Sequence, residues 1–317
     1  MSANIGIDSA AAQTAQPGRP SRRPGRANFR PRRWAGWLFA LPALAFYGFF
    51  NLRAILQSVQ YSFYEWNGIG ASTFVGFQNY IDVFTQPELL RPLINAFYLI
   101  LFFTVIPVLF GLVAAATMRT MEGRFSGALA RTLLFLPQII PGAAAAVAWT
   151  WMYSSNGVIN QVLRAVGLES LTRAWLGDFD FALSAVGFIG TWLSTGLCTL
   201  LLISGIGKID TALYEAARLD GANAVQQFLN VTVPGLRREL GVCVTVTIIS
   251  ALASFDVVYL ATQGGPGGTT MVPGVQVYLL AFNDARLGAA CALAVVLAIL
   301  IVVIIVPLQR LFQERES

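Results

Sequence analysis

Apolar runs separated by short polar stretches occupy most of the chain from Trp34 to Leu308. A helix rises about 1.5 Å per residue, so crossing roughly 30 Å of hydrocarbon takes ~20 apolar residues, and in lipid the backbone must satisfy its own hydrogen bonds. Residues 34–56, 93–118, 132–153, 181–206, 240–262 and 287–308 meet that requirement. The pattern therefore predicts an all-α integral membrane protein with six transmembrane helices. The first run is the least clean, because Pro42, Asn51 and Arg53 interrupt it. Its outer end is expected at an interface or packed inside protein.

Composition agrees with the pattern. Of 317 residues, 56% are hydrophobic and 12% charged, with a mean hydropathy of +0.64, whereas soluble domains carry about 25% charged residues. The formal charge of +5 could suggest nucleic acid, but the distribution of the cations argues for membrane topology. With the N-terminus inside, residues 1–33, 119–131, 207–239 and 309–317 hold 16 of the 21 basic residues. Only Arg53, Arg91, Arg164, Arg173 and Arg286 fall outside or at the outer rim. That bias predicts both termini in the cytoplasm. Trp34, Trp37, Trp149, Trp151, Tyr153 and Trp175 cluster near the expected interfaces, as an aromatic belt or as packing.

Residues 1–33 are rich in Ala, Gln, Pro, Gly and Arg without an apolar periodicity, and are expected to form a disordered tail preceding a membrane-embedded domain over 34–317. No short apolar core with a small-residue cleavage site precedes Trp34, so the first run is expected to stay as an anchor. Cys198, Cys243 and Cys291 all lie in apolar stretches and the chain has no histidine. A zinc site, a Cys/His pair and a disulfide framework drop out, and no metal or resident cofactor is expected.

Two places invite a functional reading. Asp256 is the one acid within an apolar run, where a charge at the bilayer centre costs about 2.5 to 3.5 kcal/mol on insertion scales. It also stands six residues before Thr262, about 9 Å of rise, and could reach the outer interface. The second place is the polar connection over residues 207–239. Asp210 is positioned to cap a helix through Leu219, Gly221 to permit a left-handed turn, and Asn223 to cap a second helix ending before Pro234. Ala212, Ala216 and Ala217 give a low-relief surface. Leu213, Tyr214 and Leu219 could fill a groove, and Glu215 and Asp220 could accept hydrogen bonds. Such a helix-turn-helix suits docking to another protein, and equally an ordinary helical connection.

The string Glu215-Ala216-Ala217, followed by Asp220-Gly221-Ala222, Phe228 and Pro234, resembles the EAA loop of ABC importer permeases. Val233 stands where a leucine is common in that loop. Residues 255–266, Phe-Asp-Val-Val-Tyr-Leu-Ala-Thr-Gln-Gly-Gly-Pro, look like the end of the fifth helix in the carbohydrate-uptake branch, the maltose and glycerol-3-phosphate type. Residues 74–80, Phe-Val-Gly-Phe-Gln-Asn-Tyr, are similar to the outer segment after its first helix. The resemblance implies a type I ABC importer permease fold in a bacterial inner membrane. Glu215, Ala216, Ala217, Asp220, Gly221, Ala222 and Pro234 would be the coupling residues.

It further implies a dimer of separate ATPase subunits that bind ATP and magnesium, a second, different permease, an extracytoplasmic solute-binding protein and surrounding lipid. The cargo implied is a sugar or polyol. By the same resemblance, Trp192, Leu193, Ser194, Ser250 and Ser254, together with Asp256, would line the substrate path, although serine in membrane helices also serves packing. No nucleotide site is expected in this chain. Gly207-Lys208 has Leu202 where the first glycine of a P-loop would stand, and Ile209 in place of the magnesium-binding hydroxyl.

Rival readings are an ABC permease for amino acids or peptides, an ion-driven secondary transporter and a membrane enzyme. No internal repeat, paired intramembrane charges or paired carboxylates support the last two.

Overall fold

The structure is a computed structural model, which describes residues 33–119 and 125–313. The expected tail, residues 1–32, and the last four residues lie outside that range. The chain divides into two units, Met1–Leu52 and Arg53–Ser317. The described part of the first is helix α1 (Arg33–Tyr47), with Pro42 inside it, followed by a π-helical turn, Gly48–Leu52. Trp37, Phe46, Tyr47, Phe49 and Phe50 are each more than half exposed.

The second unit opens with α2 (Arg53–Tyr61) and a two-stranded hairpin, β1 (Tyr64–Glu65) antiparallel to β2 (Thr73–Phe74) with Tyr64 opposite Phe74. Helix α3 (Gln78–Thr85) follows. The Asn79 amide, buried, donates to the carbonyls of Ser62 (2.8 Å) and Tyr64 (3.0 Å), fixing the hairpin to α3. Then α4 (Pro87–Ile100), a π-helical turn (Leu101–Val105) and α5 (Ile106–Arg119) make one apolar span, Pro87–Met118, of 32 residues. This span begins six residues before the expected boundary because Pro87 starts the helix as an N1 proline, where its missing N–H costs nothing.

Helices α6 (Phe125–Ile139) and α7 (Gly142–Met152) replace the single helix expected over 132–153. They meet at 100°. Pro141 is extended (φ −55°, ψ 137°), cannot donate to the α6 ladder, and disfavours α geometry at Ile140 before it. A short helix α8 (Val158–Ala165) leads to α9 (Ala182–Ile206), a second unbroken span of 25 residues. Helices α10 (Thr211–Leu219), α11 (Ala224–Gln227) and α12 (Val233–Gly235) form the polar connection.

Helix α13 (Arg237–Leu252) and α14 (Asp256–Thr262), bent by 43°, divide the run expected as one helix over 240–262. Helix α15 (Pro273–Phe282) and the 26-residue span of α16 (Leu287–Gln313) complete the unit. Among the described residues, then, three helices are long and apolar enough to cross a membrane, or five crossings if each bent pair counts once.

Small residues on α9 set the packing. An added Cβ at Gly190 would overlap the Phe103 ring, one at Gly187 would stand 2.6 Å from Phe102, and one at Gly196 2.5 Å from the Leu134 carbonyl. Backbone and ring thus fill the space that side chains would occupy, as in close-packed membrane helices. The fully buried Ile189, Val186 and Leu202 lie along the same helix. Trp149 on α7 and Tyr153 just after it are buried against α9, with Trp149 against Trp192 (5.7 Å) and Phe188 (5.6 Å). Those two rings pack inside protein rather than in an interfacial belt, whereas Trp37 and Trp151 are exposed.

Candidate functional site: the helix-turn-helix connection

The connection folds by local chemistry that the sequence carries. The Asp210 carboxylate accepts from the Ala212 N–H (2.9 Å) and caps α10. At the other end, the Ala222 N–H reaches the Ala217 carbonyl (2.9 Å) and the Gly221 N–H the Arg218 carbonyl (3.0 Å), with Gly221 at φ +80°. These are the two bonds of a Schellman termination, which needs a left-handed residue at Gly221. Asn223 then opens α11 through a reciprocal capping box: its side chain accepts from the Gln226 N–H (2.9 Å) and its own N–H donates to the Gln226 side chain (2.8 Å). Residues 228–232 continue as a π-helical turn into Pro234.

Tyr214 and Thr232 close the pair, their hydroxyls 3.0 Å apart in a buried contact. Tyr214 therefore braces the two arms and is not available to fill a partner's groove, in contrast to the expectation from sequence. At the base, Ile209 sits against Gly235, where a Cβ would meet its side chain at 2.7 Å. Leu236, fully buried, joins Ile206, Leu202 and Cys243 in one apolar cluster with Phe228 and Ile209 against it. Lys208 and Glu239 pair across the base at 2.9 Å. The outward face carries Leu213 and Leu219, the latter 89% exposed, with Glu215, Ala216, Asp220 and Gly221 exposed beside them. Ala217 and Ala222 are half-buried and Pro234 is exposed. A braced platform with an apolar tip and acid groups at its rim is suited to holding a protein surface. Among the described residues no group of His, Cys, Asp and Glu could hold a metal.

The residues expected along the substrate path lie at the opposite half of the bundle. Trp192 and Leu193 pack on a core containing Ala145, Ala251, Val257 and Trp149, so both helix breaks border the same cluster. Asp256 is exposed at the first position of α14, and a Cβ on Gly142 would lie 2.5 Å from its Oδ2. The carboxylate thus rests at the start of α7, where the helix dipole favours negative charge. Ser194 is buried, and the Ser250 hydroxyl returns to its own helix at the Val246 carbonyl (3.0 Å). Ser254 is buried with its Oγ unbonded. The approach of Gly142 to Asp256 was not anticipated from sequence, although Pro137, Pro141 and Gly142 together are a signal for a break.

The Gly264-Gly265-Pro266 string forms a turn tied down by Asn95, whose amide donates to the carbonyls of Thr269 (3.0 Å) and Met271 (2.8 Å). Gly264 there holds φ +87°.

Long apolar spans, two breaks bordering one core and a braced polar knob at one end define a membrane transport component. Residues 88–316 match the family of binding-protein-dependent transport system inner membrane components, and the chain belongs to that family. It is 37% identical over 266 residues to the probable ABC transporter permease protein YurN of Bacillus subtilis (strain 168), covering 83% of this chain and 91% of that one. The lactose transport system permease protein LacF of Rhizobium radiobacter is 32% identical over 253 residues, 78% of this chain and 83% of the relative. Among solved structures, a bacterial alginate ABC transporter in complex with an alginate pentasaccharide-bound periplasmic protein superimposes with a TM-score of 0.75. That match is at 20% identity, covering 89% of this chain and 94% of the matched one. The last likeness establishes the shared fold. The chain is therefore a membrane-embedded transport component rather than an enzyme.

Proposed function

We propose that this chain is one permease of an ATP-driven importer for a sugar or related polyol, working with a different second permease, a pair of separate ATPase subunits and a solute-binding protein. The observation that carries the reading is the platform over residues 207–239. Caps, Schellman turn and the Tyr214–Thr232 brace hold Leu213, Glu215, Leu219 and Gly221 outward on a support continuous with α9 and α13. A force on the platform then moves two helices of the bundle. Glu215, Ala216, Ala217, Asp220, Gly221, Ala222 and Pro234 are the proposed coupling residues. On this reading the platform faces the cytoplasm of a bacterial inner membrane, both termini are cytoplasmic, and α1 supplies the first of six crossings.

For the cargo, support comes from the names of the relatives, one a lactose permease, and from the oligosaccharide complex of the structural neighbour. The proposed path runs by the two helix breaks, past Trp192, Leu193, Ser194, Ser250, Ser254 and Asp256. An indole face and hydroxyls suit a sugar, and breaks in paired helices are where transporters place substrate.

Co-purification tests the assembly. The tagged chain, expressed with its chromosomal neighbours, is expected to bring an ATPase and a second permease. Combined substitution of Glu215 and Gly221 is expected to release the ATPase and retain the second permease. Purification of the chain alone would overturn the assembly.

A further inference from the structure

Helix α3 carries three different faces in two turns. On the first, Asn79 and Val83 are buried, and Val83 joins Leu89 and Leu93 of α4 and Leu293 of α16 in one apolar cluster. On the second, Phe77, Ile81 and Phe84 fall within about 60° of one another at 3.6 residues per turn, and they are 69%, 51% and 58% exposed. Phe63, half-buried, meets the Phe77 ring edge-on at 5.3 Å and widens that apolar surface. The third face is polar: Gln78 donates to the Asp82 carboxylate at 2.9 Å, and the Thr85 hydroxyl to the Ile81 carbonyl at 2.8 Å. Gln78 and Asp82 border a cavity of about 390 Å³ that Glu65 and Arg286 also line. Only Gln86 separates α3 from Pro87, where the first unbroken span begins. That span, of 32 residues, rises about 48 Å, more than the roughly 30 Å of hydrocarbon, so its first turns stand in the headgroup zone. Leu89 and Leu93 flank Arg91, the last charged residue before Arg119. Val83 therefore holds α3 at the level where charge gives way to hydrocarbon.

We infer that α3 lies in the membrane–water interface as a lipid anchor, with Phe77, Ile81 and Phe84 among the acyl chains and Gln78, Asp82 and Thr85 turned to water. An amphipathic helix in that position buries its apolar face about 5–10 Å into the boundary between headgroups and acyl chains. In water the same three side chains would form one continuous apolar patch, of the kind that marks an interaction surface. The partner is lipid because the patch continues the apolar surface of the adjoining spans, while the cavity on the neighbouring face, lined by two acids and an arginine, belongs in water. The patch itself carries no charge, so the contact selects acyl chains and not a headgroup. Its consequence reaches beyond α3. Asn79 ties the helix to the β1–β2 hairpin, and the Gly288 N–H of α16 donates to the Trp66 carbonyl (3.2 Å) in that hairpin. The lipid contact would thus set the depth at which α3, the hairpin and the first turn of α16 sit. The inference uses the membrane-embedded character of the chain and holds whatever its cargo or coupling partner. On the orientation proposed above, the leaflet is the outer one.

The test is spin labelling of the full chain, with its co-purified partners, in phosphatidylcholine nanodiscs. Single labels at Phe77→Cys, Ile81→Cys and Phe84→Cys are expected to collide more with oxygen, which concentrates among acyl chains, than with a water-soluble nickel chelate. Labels at Gln78→Cys and Thr85→Cys are expected to reverse that ratio. The unsubstituted chain, whose Cys198 and Cys243 are fully buried, reports the background. Free access of the chelate to all five positions overturns the anchor. So does protection of positions 77, 81 and 84 from both reagents, which would assign the patch to a covering protein, either another segment of this chain or a partner subunit. A second measurement needs no substitution. An apolar diazirine dissolved in the bilayer and photolysed is expected to label Phe77, Ile81 and Phe84 of the unsubstituted chain along with Val302 and Val303, which are exposed within the α16 span. Labelling of α16 without labelling of α3 overturns the inference even where a cysteine variant fails to fold.

Discussion

Gly221 holds φ +80° with no atom within 4 Å of the place a Cβ would take, so a side chain there is opposed by backbone conformation alone. The left-handed region costs an ordinary L-residue about 1–2 kcal/mol, less for asparagine and more for a β-branched residue. ATPase retention is therefore expected to fall in the order glycine, asparagine, alanine, valine, with the valine variant still inserted in the membrane. Equal retention by the asparagine and valine variants would show that the turn is not what orients the loop. Tyr214 makes a different contribution. Tyr214→Phe keeps the ring and loses the hydrogen bond to Thr232, worth about 0.5–1.5 kcal/mol. Faster amide exchange over residues 211–232 is expected, with little change elsewhere. Unaltered exchange would mean that the hydroxyl pair is not a brace.

Among the elements, the platform was legible from sequence because every decision in it is local. Asp210, Gly221 and Asn223 each act on a backbone group within a few residues, and each does in the structure what its chemistry dictates, whereas the helical turns expected to end before Pro234 continue through it, because an early position in α12 needs no N–H from the proline. The inward turn of Tyr214 was not legible, since it depends on which face of α10 meets Thr232 eighteen residues on. The long spans were readable from composition, but the breaks were harder. Pro141 announces one, whereas Ala253–Phe255 carries neither proline nor glycine and breaks where α15 packs, Gly274 lying 3.0 Å, by an added Cβ, from the Ser254 carbonyl. Three substitutions separate packing from path. Gly190→Leu drives a side chain into Phe103, an overpacking that costs about 1–3 kcal/mol or more, and is expected to lower the thermal midpoint in detergent. Gly207→Ala has no neighbour closer than 3.8 Å and is expected to leave it unchanged. Gly142→Leu displaces the Asp256 carboxylate and is expected to reduce uptake while the ATPase remains bound. Normal uptake by that variant would place the path away from the helix breaks.

For the whole molecule, the helix breaks and the platform stand at opposite ends of one bundle connected through α9 and α13. On the proposed reading an event at one end is converted into an opening at the other, and the knob fixed to two spans is the lever. The measurement that tests this most directly is uptake of a labelled sugar by proteoliposomes holding the chain with its co-purified partners, at a fixed internal ATP concentration and with the binding protein outside. The account predicts uptake that requires both ATP and binding protein, is untouched by collapsing ion gradients, and falls at least tenfold with Gly221→Val. Uptake driven by an ion gradient without ATP, or undiminished in that variant, would contradict it.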